Sequence, residues 1–223
     1  MYDVDQLGNK IKTDNFNVLI LDTCCLLDIV RAVTREGIPT LKAAVEIIQA
    51  TKPNYHIVFP SLIEKELMDN IDIVAEEARR YIKKTNDSTK TFWDAIDVLG
   101  VQKYVIPNLE SYKLDDLLIS VCKSLFQKGL KLNNQDLYAA NVMNRVVYNI
   151  PPAKQGKNST KDCIIYEEVL GIGRELRENA FTGKIIFSSS NTQEYNDGAI
   201  SQELGHIGIQ YATSLHHGLS MVK

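Results

Sequence analysis

The run Asn17 to Leu21 (NVLIL) is apolar after its first residue and stops at Asp22. Four consecutive large aliphatic side chains leave no face for water, so the segment reads as a strand buried on both sides, as in a parallel sheet covered by helices. The pattern returns at Tyr55–Phe59 (YHIVF), Lys103–Ile106 (KYVI), Lys184–Phe187 (KIIF) and Ile207–Tyr211. Helical segments separate these runs. Leu26–Val33 follows the first strand, and Thr40–Ala50 stops near Pro53. Leu62 to roughly Lys84 reads as one long amphipathic helix or two joined ones. Asn86–Lys90 (NDSTK) reads as a polar break before a short helix at Thr91–Leu99. Leu114–Lys128, with apolar positions at 114, 117, 118, 121 and 125, and Gln135–Tyr148 are further helices. Pro151–Lys161 is loop-like, Asp162–Arg177 is helical, and Ser188–Asn196 is a polar turn leading towards a short helix.

Strands alternating with helices imply right-handed βαβ units, hence an α/β fold. No stretch resembles an interdomain linker, so residues 1–223 are expected to form a single domain with a core over about 17–211 and a helical insertion over about 108–150. At 44% hydrophobic and 24% charged residues, a chain of 223 residues can bury a core without a metal or disulfide staple. A net charge of −3 argues against a surface that is basic all over, while allowing a local basic patch. No run reaches the ~18–20 apolar residues of a membrane span. Met1–Asp14 is polar, carries three Asp and lacks the order of a signal peptide. Cys24, Cys25, Cys122 and Cys163 form no plausible disulfide framework, so reduced thiols and a cytoplasmic protein are expected.

In open α/β sheets ligands bind beyond the carboxyl ends of the strands. Asp22 stands there, followed by Thr23; it can ligate a divalent ion or cap the next helix. After the second strand, Ser61-x-x-Glu64 reads as a capping box, which leaves Glu66 free for a site or for solvent. Ser159-x-x-Asp162 is a second candidate box, preceded by Lys154, Lys157 and Lys161, which form either a solvated loop or a phosphate grip. Asn191 follows Ser188-Ser189-Ser190 and either caps a helix, with Glu194 as partner, or orients a metal-bound water. Carboxylates gathered in one cleft repel one another, and a bound Mg²⁺ or Mn²⁺ would offset that repulsion.

Asp22 after NVLIL, Glu66-Leu67 after the second strand, Asp162-Cys-Ile-Ile at a helix start and Ser188-Ser-Ser-Asn191 after the next strand together resemble the PIN-domain nucleases. The resemblance runs from about Asn17 to Tyr211 and is greatest to the larger PIN-like proteins with a Pro-Pro and Lys-rich loop before the third acid. It implies a three-layer α/β/α sandwich with a five-stranded parallel sheet in order 3-2-1-4-5. It also implies a Mg²⁺- or Mn²⁺-dependent hydrolase, an endoribonuclease cutting phosphodiester bonds. Carried over residue by residue, Asp22, Glu66 and Asp162 are the metal ligands, and Asn191 completes the catalytic set. Many PIN proteins carry Asp where this chain has Asn191, which weakens a second metal position; Glu194 or Glu168 are stand-ins. Thr23, Lys157, Lys161 and Arg145 are the candidate substrate contacts. RNA is the expected partner, DNA fits the same chemistry, and a membrane does not. A second copy of the chain or a regulatory protein are further partners to test.

Other readings are weaker. Cys25-x₅-Arg31 matches the bare phosphatase pattern, but the intervening Leu-Leu-Asp-Ile-Val looks helical and Asp28 would repel the anion. His206, His216 and His217 lack metal-ligand spacing, with the adjacent pair read as lying near a frayed C-terminus, and His56 reads as a core or edge residue. Gly171-Ile-Gly173 lies in a helix pattern rather than a phosphate loop. A receiver-like phosphoacceptor would need an Asp where the third strand is followed by Pro107-Asn108. The main rival is a PIN-fold module that binds RNA or a protein partner without cutting, kept alive by Asn191.

Overall fold

The computed structural model describes residues 1–35, 37–101, 107–134 and 136–223. The elements are α1 (Val4–Asp14), β1 (Asn17–Leu21), α2 (Thr23–Val30), α3 (Ile38–Gln49), β2 (Tyr55–Phe59) and α4 (Ile63–Val98). They continue with α5 (Leu114–Lys128), β3 (Leu130–Lys131), α6 (Ala139–Tyr148) and α7 (Thr160–Glu178). The last are β4 (Ile185–Ser188), α8 (Thr192–Tyr195), α9 (Gly198–Ile207), β5 (Ile209–Ala212) and α10 (Leu215–Val222).

The five strands form one parallel sheet in the order β3-β2-β1-β4-β5. β1 is the central strand, and Val18 to Leu21 are fully buried, as an aliphatic run between two helical layers requires. On one side α2, α4 and α5 pack on one another; on the other α1, α6 and α9 pack against α7. This is the expected α/β/α sandwich. α10 approaches β1 and β4 closely, because a Cβ on Gly218 would press on Leu19 and Ser188. Gly171 and Gly173 are likewise notches, leaving room for the Tyr138 ring and for Ile209, so they serve packing rather than phosphate binding.

Several expectations change. The third strand of the sheet is Leu130–Lys131, immediately after α5, whereas the expected Lys103–Ile106 lies outside the described residues. The polar break at Asn86–Lys90 is absent: α4 runs unbroken for 36 residues, about 54 Å. Its sequence contains neither Gly nor Pro, and polar side chains in a solvent-facing helix cost only tenths of a kcal/mol each. Its buried positions, Ile63, Leu67, Ile71, Val74, Ala75, Ala78 and Ile82, end before the polar stretch, so polarity there marks emergence from the core.

The polar N-terminus forms α1, whose Val4, Leu7 and Ile11 make a buried stripe against α7. The C-terminus is the helix α10 rather than a frayed end; Ser214 Oγ caps it by accepting from the His217 N–H at 3.2 Å. The Ser61-x-x-Glu64 box does not form. Leu62 takes the N-cap position of α4, and both the N–H and the hydroxyl of Ser61 donate instead to the Glu168 carboxylate, at 2.8 and 2.5 Å. A charged acceptor buried on α7 outcompetes a local helix cap.

Candidate metal and substrate site

Asp22 follows β1 and caps α2, the second of the two roles foreseen for it. Its Oδ1 accepts from the Thr23 N–H at 2.7 Å, and its Oδ2 accepts from the Ser189 hydroxyl at 2.6 Å and from the Cys24 thiol at 3.1 Å. Ser189 follows β4, so neighbouring strands fix the carboxylate from both sides. Burial pushes the Asp22 carboxyl well above its ordinary range, with the Cys24 sulfur adding to the effect. Burial also raises the Cys24 thiol, which therefore stays protonated and acts as a donor.

Thr23 carries the site across to α4. Its hydroxyl donates to Glu66 Oε2 at 2.7 Å. Lys161 lies 3.6 Å from the other Glu66 oxygen and 3.9 Å from Asp69. On α7, Asp162 occupies the first turn, where the helix dipole favours an anion. The Asn191 amide reaches Asp162 Oδ1 at 3.5 Å. The Asp162 carboxyl is pushed up to about 6, chiefly by burial and then by the charges of Glu194 and Glu66. Neither the Ser159 nor the Asn191 side chain caps its helix.

Glu194 is the residue that sequence reasoning underrated. In sequence it reads as a capping partner or as a stand-in for the missing acid, and its charge lies beside Asp162. It is 7% exposed. Lys157 Nζ donates to Oε1 at 3.1 Å. Lys154 lies 3.3 Å from Oε2, yet this ion pair leaves the buried oxygen without a hydrogen bond.

The structure thus links Asp22, Thr23, Glu66, Asp162, Asn191, Lys157 and Lys161 at the carboxyl ends of β1, β2 and β4. Arg145 is placed apart. Its guanidinium is buried against Glu167, the Pro151 carbonyl and Glu203, with its plane over the Tyr166 ring, so its donors are committed within the protein. Glu168 is also apart, held by Ser61, and burial raises its carboxyl to about 7. The five residues between Cys25 and Arg31 are helical, and the Cys25 thiol donates to the Ser188 carbonyl, so no phosphate-cupping loop exists there.

Among the described residues, no three His, Cys, Asp or Glu side chains lie close enough together to hold a metal ion as placed. The chemistry of the donor set nevertheless fits a hard divalent cation: oxygen ligands only, an Asp22 carboxyl raised by burial, an Asp162 carboxyl raised by burial and its acidic neighbours, and an orphaned carboxylate oxygen on Glu194. No helix among the described residues is long and apolar enough to cross a membrane. In comparison with known proteins, the family model described as PIN domain matches residues 19–197. No curated protein and no solved structure matches.

Proposed function

The chain belongs to the PIN-domain family, and from that premise we propose that it is a divalent-metal-dependent endonuclease acting on RNA. PIN domains are in general nucleases and typically use divalent metal ions. The observation that carries the reading is the raised Asp162 carboxyl, set beside Glu66 and Glu194 while the nearby lysines pair with those two and not with Asp162. Asp22, Glu66 and Asp162 would hold Mg²⁺ or Mn²⁺, which supplies an activated water and charge stabilisation at the leaving oxygen. The chain's own groups prepare that site. Ser189 and the Thr23 N–H fix the Asp22 carboxylate, and the Thr23 hydroxyl fixes Glu66. Asn191, whose amide reaches Asp162, would orient a water or a second ion. Lys157 and Lys161, on the edge of the acidic cluster, would take backbone phosphates in exchange for Glu194 and Glu66. DNA presents the same phosphates, so an RNA preference is part of the proposal and not of the site chemistry. Four free cysteines fit a reducing, cytoplasmic compartment.

The test is cleavage of a mixed single-stranded RNA pool with Mn²⁺, using EDTA and Asp162→Asn as controls and a DNA pool in parallel. Cutting of RNA that is lost in both controls is the expected outcome. Cutting that survives Asp162→Asn removes the site assignment. The neutral Asn191 favours one second reading, a PIN-fold module that binds RNA or a protein partner without cutting. A folded wild-type protein that binds RNA and Mn²⁺ but leaves the pool intact would select it.

A further inference from the structure

Lys157 and Lys161 stand on either side of the start of α7, one on the loop before it and one in its first turn. Each is paired with a different acid beside Asp162. Lys157 Nζ lies 3.1 Å from Glu194 Oε1, and Lys161 Nζ lies 3.6 Å from Glu66 Oε1. The two carboxylate side chains are 8% and 17% exposed, whereas the two lysines are 53% and 52% exposed. The acids are thus held in place, Glu66 also by the Thr23 hydroxyl, and the ammonium groups on their flexible stems are the movable partners. The second partner of Lys161, Asp69 at 3.9 Å, is itself half exposed and restrains it little. Lys154 differs. It lies 3.3 Å from Glu194 Oε2, but its ammonium also donates to the Gln193 carbonyl, which ties it to α8. Even so, Glu194 Oε2 has no hydrogen bond, so the lysines leave a buried acceptor unfilled.

On the reading of the acidic cluster as a metal site, on which this inference rests, we propose that Lys157 and Lys161 are stand-in counter-ions, released to substrate phosphates when a divalent cation engages Glu194 and Glu66. An ammonium paired with a carboxylate offers a phosphate little net charge. With both acids engaged by a divalent cation, each lysine regains a full positive charge at the mouth of the site. The exchange is reciprocal. Phosphates that draw the lysines away leave Glu66 and Glu194 unbalanced, and these then bind the cation more tightly by the same factor. Metal and nucleic acid therefore bind cooperatively through two exposed side chains of this chain, by about tenfold to a hundredfold.

The experiment is calorimetric titration of the full chain with Mn²⁺, without and with a phosphorothioate-linked oligouridylate, which keeps the phosphate charge and resists hydrolysis. In the wild type the oligonucleotide should tighten Mn²⁺ binding about tenfold or more. Lys157→Gln with Lys161→Gln should bind Mn²⁺ more tightly than wild type in the absence of nucleic acid, because the competing ammonium groups are gone. The oligonucleotide should then change its Mn²⁺ affinity by no more than about threefold. Lys12→Gln with Lys52→Gln makes the same change in net charge at the amino ends of β1 and β2, away from the site, and should keep the wild-type coupling. A wild-type chain that binds no Mn²⁺ removes the metal reading and this inference with it. Mn²⁺ binding whose coupling survives in the Lys157–Lys161 double variant overturns the inference alone, since direct contact between ion and phosphate then carries the coupling. So does a double variant that binds Mn²⁺ no more tightly than wild type, or a control pair that loses the coupling equally.

Discussion

Two carboxylate clusters meet on helix α7. In its first turn Asp162 faces Glu66 and Glu194, and the cations nearby are Lys157 on the preceding loop and Lys161 in the same first turn. Further along, Glu167 meets Arg145, which also takes Glu203 and the Pro151 carbonyl, while Tyr166 donates to Glu203 at 3.1 Å and Asn141 to Glu167 at 3.1 Å. The second cluster is complete, with nearly every donor and acceptor paired inside the protein. The first is left with a raised Asp162 carboxyl and a buried Glu194 oxygen lacking a donor. A cluster whose groups are paired with one another locks neighbouring helices together; one that keeps a raised carboxyl and a donorless oxygen can still take up a cation.

The largest effects should come from opening these clusters. Asp162→Asn should cut RNA cleavage by at least about 10³-fold, ~4 kcal/mol of transition-state stabilisation, in single-turnover assays. In the closed cluster, Arg145→Ala leaves Glu167 buried without its cation and should lower stability by about 3–5 kcal/mol in urea titrations. The double change Arg145→Met with Glu167→Met should recover part of that loss, because the most buried carboxylate goes with its cation while Glu203, more exposed, keeps its bond from Tyr166.

A smaller effect reverses the usual sign. Asp162 has a raised pKa, so the folded protein holds a proton that the unfolded chain releases near 3.8. Ionising Asp162 therefore destabilises the metal-free fold as pH rises from about 4 to above 6. Asp162→Asn should match wild type below that window and exceed it above, by roughly 1 kcal/mol after solvent screening. Mn²⁺ should raise the wild-type melting temperature and leave this variant almost unmoved. If Asp162→Asn is less stable than wild type at pH 7 without metal, the two clusters do not differ as described. Glu194→Gln should weaken Mn²⁺ binding by about tenfold, ~1.4 kcal/mol, in calorimetric titration. The smallest effect concerns salt. Two lysines on phosphates give a slope of about −1.4 in log affinity against log salt for single-stranded RNA, and Lys157→Ala should remove about half of it.

Where the sequence reading succeeded, the signal was local. NVLIL, YHIVF and KIIF each declare a buried strand within five residues, and Leu114–Lys128 matches α5 because its apolar spacing repeats over four turns. Where it failed, the deciding partner lay far along the chain. Ser61 has a complete local cap signature, yet its partner is Glu168, 107 residues away. Glu194 looks like a cap for Asn191, and its partners are Lys154 and Lys157. β3 has only two residues, too short for any pattern, and exists because β2 offers an edge for Leu130 and Lys131. α4 appeared broken at Asn86 because polarity alone does not distinguish a helix leaving the core from a helix ending.

By itself the sequence determined the layered α/β plan and the acids at the strand ends, since periodicity and strand termini are properties of neighbouring residues. Only the tertiary structure decided which acids share a site and which are neutralised. Asp162 and Glu167 lie five positions apart on one helix, and nothing local separates their roles. The difference is that α6 and α9 bring Arg145 and a tyrosine-bound Glu203 to one of them, while α4 and α8 bring further carboxylates to the other. Electrostatic balance is set by distances through space, and those exist only once the sheet has placed its helices.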